Sequence, residues 1–257
     1  MKRIIPVLLT AGLALSGCNL LGQAMAGEAP VPTVTPLLPA PETGVIENTP
    51  GATDTAIPRN PISWEVESFA AELEVPWDMV FTSLTRMLVT ERGGAIRVIN
   101  DGQLDPQPVY MFEDVAQIGG EAGLMGMAGD PDYENNRYIY VCYALPEGSG
   151  LYNRIVRLVD GQAGMRVDRV ILDNLPSARN HAGCRVRFGP DGKLYATIGD
   201  SLKPSLAQDL NSLAGKILRV NPDGSIPDDN PFENYYVYSY GHRNPQGIAW
   251  QPLDGLL

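Results

Sequence analysis

The sequence predicts an all-β fold, a β-propeller, on three observations. Short apolar segments alternate with clusters of Gly, Asn, Asp and Pro. The segment that opens each group recurs at roughly 50 to 60 residues, near Met79, Gly126, Arg185 and Gly247. No long amphipathic helical pattern interrupts them, and the one helical piece is a turn around Leu206–Leu213. Four strands per ~50 residues is the pattern of a propeller blade, a sheet that must stack on its neighbours to bury its faces. An irregular β-sandwich without a true repeat is the alternative.

The elements follow in order. Strands are expected at Val80–Phe81 and Met87–Thr90. The turn Glu91-Arg92-Gly93-Gly94 leads into Ala95–Ile99, and Asn100-Asp101-Gly102 closes that group. Gly123–Ala128 opens the next, followed by a turn at Asp130–Asn136, then Tyr138–Tyr143 and Arg154–Val159 before Asp160-Gly161. Cys184–Phe188, the Gly189–Gly192 turn, Lys193–Ile198 and Lys216–Val220 form a third group, ended by Asn221-Pro222-Asp223-Gly224. Gly247–Trp250 opens a fourth. About four blades are therefore expected.

The N-terminus is of different material. Lys2 and Arg3 precede an apolar run from Ile4 to Leu15, the length of a signal-peptide hydrophobic region and too short to span a bilayer comfortably. It ends in Leu15-Ser16-Gly17-Cys18, which resembles the lipobox of bacterial lipoproteins. That resemblance implies cleavage before Cys18, lipid on its thiol, and export with anchoring to the membrane. Residues 19–62 mix Pro with Thr, Ala, Gly and Glu, a composition that cannot bury enough apolar surface to offset the entropy of ordering it. They read as a tether. The organisation is thus a signal peptide over 1–18, a tether over 19–62 and a partial propeller over 63–257, long enough for one core.

Charge and cysteine content narrow the chemistry. The formal net charge is −11, and no basic run exists outside the signal peptide, which argues against nucleic acid as partner. Of the 3 cysteines, Cys18 is assigned to lipid; Cys142 in YIYVCYAL reads as buried packing. A Cys142–Cys184 bridge is a further option that spacing leaves open. No CxxC pair and no His/Cys cluster points to zinc. The run HAGCRVRFGPDGKLYATIGDS carries His181, one of only 2 histidines, before a hairpin whose second strand ends at Asp200. A hairpin can return a carboxylate to a ring at its mouth, and histidine is the side chain suited to take a proton near neutral pH. An isolated histidine is otherwise a polar residue at a loop end.

The motifs VPWDMVFTSLTRMLVTERGGAIRVI, GGEAGLMGMAGDPDYENNRYIYVCY, HAGCRVRFGPDGKLYATIGD, AQDLNSLAGKILRVNPDGSIPDDNPF and YGHRNPQGIAW, in this order over residues 64–257, resemble the soluble PQQ-dependent aldose and glucose dehydrogenases, the glucose/sorbosone dehydrogenase family. The resemblance implies a six-bladed propeller with pyrroloquinoline quinone (PQQ) at its top face and calcium bound with it. It implies an aldose substrate, oxidised at C1 to the lactone, and an electron acceptor at the cell envelope. His181 matches the base that takes the C1 hydroxyl proton while hydride passes to the quinone. Asp200 matches the carboxylate behind it. Arg243 and Asn244 match the quinone contacts, and Glu121 matches a residue at the cofactor edge. His242 reads as structural.

The chain also departs from the family. Cys184 stands where glycine is common. The backbone that holds calcium and further cationic residues for the PQQ carboxylates are expected past Leu257, so no metal ligand is assigned here, and the chain is expected to be C-terminally truncated, encoding the fold and half the site. The alternative function is a non-catalytic propeller that binds carbohydrate or protein, inactive because truncated, since fold does not dictate function. A lactone hydrolase on a similar propeller would need a cluster of carboxylates and amides around calcium, and no such cluster is evident.

Overall fold

The computed structural model describes residues 65–116, 119–253 and 255–257. The chain separates into two units, Met1–Ile62 and Ser63–Leu257. Cys18 and the segments 1–18 and 19–62 lie outside the described residues.

Three antiparallel sheets follow one another along the chain. In the first, β1 (Pro76–Phe81), β2 (Arg86–Glu91), β3 (Ala95–Asn100) and β4 (Gln103–Leu104) pair in sequence, and β5 (Tyr110–Met111) adds to β3. The second runs β6 (Leu124–Gly129), β7 (Tyr138–Glu147), β8 (Gly150–Gly161), β9 (Gly164–Ser177). The third runs β10 (Val186–Phe188), β11 (Leu194–Ile198), β12 (Lys216–Val220), β13 (Val237–Tyr240). The second and third are four-stranded meanders of the kind that forms one propeller blade, and the first is such a meander with β5 added to β3.

The strands form where β-branched and aromatic side chains meet across the ladder. Met87 lies opposite Ile99 and Leu88 opposite Val98 in the first sheet. Val141 faces Val156, and Cys142 faces Ile155, in the second. The middle sheet is covered on both faces. Leu124, Met127, Ile139 and Val141 pack towards Leu88, Ile96 and Val98. Met125, Tyr140 and Ala144 pack towards Val186, Leu194, Ala196 and Leu218. Each such large side chain contributes about 1.5–3 kcal/mol by leaving water. β6 is accordingly buried over Leu124–Ala128, whereas Met79 and Phe81 of β1 are 58% and 63% exposed.

The Cys142–Cys184 question, open in the sequence, is resolved as a disulfide with a Cα–Cα distance of 6.1 Å. It ties β7 to the segment entering β10. Beside it, Gly126 N donates to the Cys184 carbonyl at 3.1 Å.

Four details differ from the sequence expectation. Gly247–Trp250 forms no strand, so the described residues hold three blade sheets rather than about four. A strand exists only through a ladder, and no described segment pairs with 247–250. β9 and β13, which the pattern missed, are the outermost strands of their sheets; β9 is mostly exposed and bulged, so apolar alternation does not mark it. The expected helical turn is a short 3₁₀ segment at Pro204–Gln208. Within the Asp130–Asn136 turn, Tyr133–Asn136 closes one α-helical turn.

Candidate active site

The ends of β9 and β11 deliver the two residues singled out in the hairpin. Gly199, just past β11, runs against the loop that holds His181. A Cβ at Gly199 would lie 1.8 Å from the His181 carbonyl oxygen, so only glycine allows this approach. Asp200 follows, and its Oδ1 lies 2.8 Å from His181 Nδ1. The Asp200 side chain is 1% exposed and that of His181 12%. Asp200 is locked further by Leu202 N donating to Oδ1 at 2.9 Å, while Asp200 N donates to the Arg243 carbonyl at 2.8 Å.

An ionised carboxylate only accepts, so the neutral ring carries its proton on Nδ1 and presents the lone pair of Nε2 outward. That is the form a general base needs. The backbone at His181 has φ 58°, the left-handed region that a side chain other than glycine seldom adopts. Such outliers persist where the surroundings over-determine them. Here His181 N donates to Glu121 Oε2 at 2.8 Å.

Glu121 is the hub of the cluster. The same Oε2 accepts from Asn244 Nδ2 at 2.9 Å and Gln246 Nε2 at 3.2 Å. Asn244 Oδ1 in turn accepts from Gly183 N at 3.3 Å. The Glu121 loop is held by its own N–H to the Arg179 carbonyl at 2.8 Å and by Arg92 donating to the Gly120 carbonyl. Glu121, His181, Asp200 and Asn244 are thus brought into one cluster. Arg243 is joined to it through its backbone. Its residue is exposed, and its guanidinium has no hydrogen-bond or ion-pair partner among the described residues.

Gln246 is the site residue that sequence reasoning missed. It lies two residues after Asn244, and both side chains donate to the same Glu121 oxygen. Nothing local in the sequence signals it, because the partner lies 125 residues away. His242 lies apart from the cluster: its Nε2 is 2.9 Å from Ser239 Oγ, and burial, with the Lys216 ammonium nearby, holds its pKa below the ordinary histidine value.

An imidazole with Nδ1 held by Asp200, beside the Asn244 and Gln246 amides, offers groups that suit the oxygens of a planar acidic quinone. The arrangement therefore fits PQQ at its quinone end. Among the described residues, no three His, Cys, Asp or Glu side chains group to hold a metal ion.

The family model for Glucose / Sorbosone dehydrogenase matches residues 73–257. Aldose sugar dehydrogenase YliI of Escherichia coli is 33% identical over 208 residues, covering 77% of this chain and 56% of that protein. Quinoprotein glucose dehydrogenase B of Acinetobacter calcoaceticus is 32% identical over 219 residues, covering 73% of this chain and 46% of that one. The chain thus spans about half the length of these relatives. The PQQ-bound aldose sugar dehydrogenase of Streptomyces coelicolor superposes with a TM-score of 0.66 at 34% identity, over 72% of this chain and 56% of that one. Its family fold is the β-propeller, of which the three sheets here are part.

Proposed function

The chain belongs to the glucose/sorbosone dehydrogenase family, and from that premise we propose that its mouth serves the oxidation of an aldose at C1 to the lactone, with PQQ as cofactor. The observation that carries the proposal is the buried Asp200 carboxylate 2.8 Å from His181 Nδ1, which leaves Nε2 as an acceptor at the mouth.

PQQ, when bound, supplies the acceptor for the electron pair of the sugar C1–H bond, chemistry that side chains alone do not provide. The protein does the rest. His181 Nε2 takes the proton of the C1 hydroxyl, so the C1–O bond becomes the lactone carbonyl. Asp200, hydrogen-bonded to Nδ1, steadies the imidazolium that forms. Arg243 and Asn244 would hold the quinone oxygens, with the guanidinium placed where negative charge accumulates. Glu121 fixes the His181 backbone and the Asn244 and Gln246 amides through Oε2, and by the resemblance it stands at the cofactor edge. Calcium, which the resemblance implies, belongs to the proposal as a companion of PQQ. So does an electron acceptor of the cell envelope.

We further propose that the domain works outside the cytoplasm, anchored through lipid on Cys18. The support is the Leu-Ser-Gly-Cys sequence after the apolar run. Cys18→Ser should release the protein from membranes; unchanged partition would refute the anchor.

The test of the activity is titration of the purified chain with PQQ, with and without calcium, followed by dye reduction on glucose and other aldoses. Dye reduction that requires both PQQ and an aldose supports the proposal. Saturable PQQ binding without turnover on any aldose would overturn it in favour of a binding propeller.

A further inference from the structure

The inner strands hold a second polar cluster, which the proposed reaction does not use. Asp78, on β1, has a side chain only 2% exposed. Its carboxylate accepts from Arg185 Nη1 at 2.6 Å, from both terminal nitrogens of Arg187 at 2.8 Å, and from Met127 N on β6 at 2.9 Å. The two arginines stand two residues apart at the start of the third sheet, but they make different contacts. Arg187 donates to the Met127 and Val186 carbonyls, each at 2.8 Å. Arg185 lies 4.1 Å over the Trp77 ring, and its Nε donates to the Gln246 carbonyl at 2.9 Å.

The Gln246 contact links this cluster to the one around Glu121. Residues 244–250 belong to no ladder, so their position depends on single hydrogen bonds rather than on sheet pairing. Glu121 holds the Asn244 and Gln246 amides from one side, and Arg185 holds the Gln246 carbonyl from the other. A guanidinium fixed both by a bidentate-capable carboxylate and by an aromatic face is a rigid donor, because its planar fork loses little freedom in making the last bond.

We propose that Arg185, braced by Asp78 and Trp77 of the first sheet, is a positioning residue: it sets the place of the Gln246 backbone and hence of the Asn244 and Gln246 amides at the mouth. Its functional consequence rests on the reading of that mouth as a quinone site; its geometric consequence does not. The assignment separates two arginines on one carboxylate. Arg187 joins β1, β6 and β10, and none of its hydrogen bonds reaches residues 243–246.

The experiment compares Arg185→Met with Arg187→Met in the full chain. Each leaves Asp78 one guanidinium partner, and Arg187→Met, which removes more hydrogen bonds, should cost the more stability. The readout is the side-chain amide signals of Asn244 and Gln246 in ¹⁵N-labelled protein, with a PQQ titration alongside. Arg185→Met should displace both amide signals and weaken PQQ binding about tenfold. Arg187→Met should leave the signals in place and the PQQ affinity within about twofold. Unmoved amide signals in Arg185→Met, or equal movement in Arg187→Met, would overturn the assignment. Should Arg185→Met not fold, Arg185→Lys keeps a cation for Asp78 while losing the fork, and the same displacement is expected of it. If the wild-type protein binds no PQQ, the quinone reading fails, while the amide signals still decide the role of Arg185.

Discussion

The two polar clusters of this molecule are built from similar residue types to opposite effect. In the inner-strand cluster, the Asp78 carboxylate is met on both oxygens by guanidinium and backbone donors from three different strands. In the site cluster, Glu121 and Asp200 each engage one carboxylate oxygen, Oε2 and Oδ1, and His181 Nε2 and the Arg243 guanidinium have no partner among the described residues. A satisfied cluster holds strands together. A cluster that spends its carboxylates on orienting groups with open valences is one that can act on something else.

That contrast can be broken most forcefully at Asp78. Asp78→Ala leaves two arginines without their shared carboxylate, and removing one partner of a buried pair costs about 3–5 kcal/mol. Urea unfolding should show that loss, while a cost below about 1 kcal/mol would mean that water already screens the cluster. The disulfide is next. It closes a sequence separation of 42 residues, and replacing both Cys142 and Cys184 by Ala should cost about 2–4 kcal/mol in thermal unfolding. No change in the melting temperature would assign the bridge no role in joining the sheets. At the mouth, Glu121→Ala frees three donors that water can partly reach, so the stability cost should be about 1 kcal/mol. The larger effect should fall on the His181 and Asn244 signals in an NMR spectrum, and unchanged signals would remove Glu121 as hub.

The smallest effect expected is a pH dependence. Burial, with the Lys216 ammonium nearby, lowers the pKa of His242 below that of an exposed histidine. The unfolded chain therefore takes up this proton first, and stability falls as pH drops below about 6.5. His242→Gln should remove that part of the slope between neutral and mildly acidic pH. An identical slope in the variant would place its origin elsewhere.

Much of this was legible in the sequence, for reasons that particular residues make plain. Strands such as RMLVTE and KILRV announce themselves because their β-branched and apolar side chains are buried. β9 does not, because an outermost strand faces water along most of its length and needs no apolar alternation. The His181–Asp200 pair could be anticipated, since a hairpin returns its second strand to its own mouth. Gln246 and Arg185 could not be ranked in the same way. Their importance lies in contacts 125 and 61 residues distant along the chain, and nothing local signals them. The Cys142–Cys184 bridge was open for the same reason: only the stacking of the second sheet on the third brings the two cysteines to 6.1 Å.

The central claim is that His181 is the base of a sugar oxidation at this mouth. The most direct measurement is PQQ- and aldose-dependent dye reduction by His181→Ala beside the wild type, with PQQ affinity measured on both. Turnover should fall about 10²–10⁴-fold, the scale of a positioned acid–base group, while PQQ binds almost as before. A variant that binds PQQ and oxidises aldoses at close to the wild-type rate would contradict it.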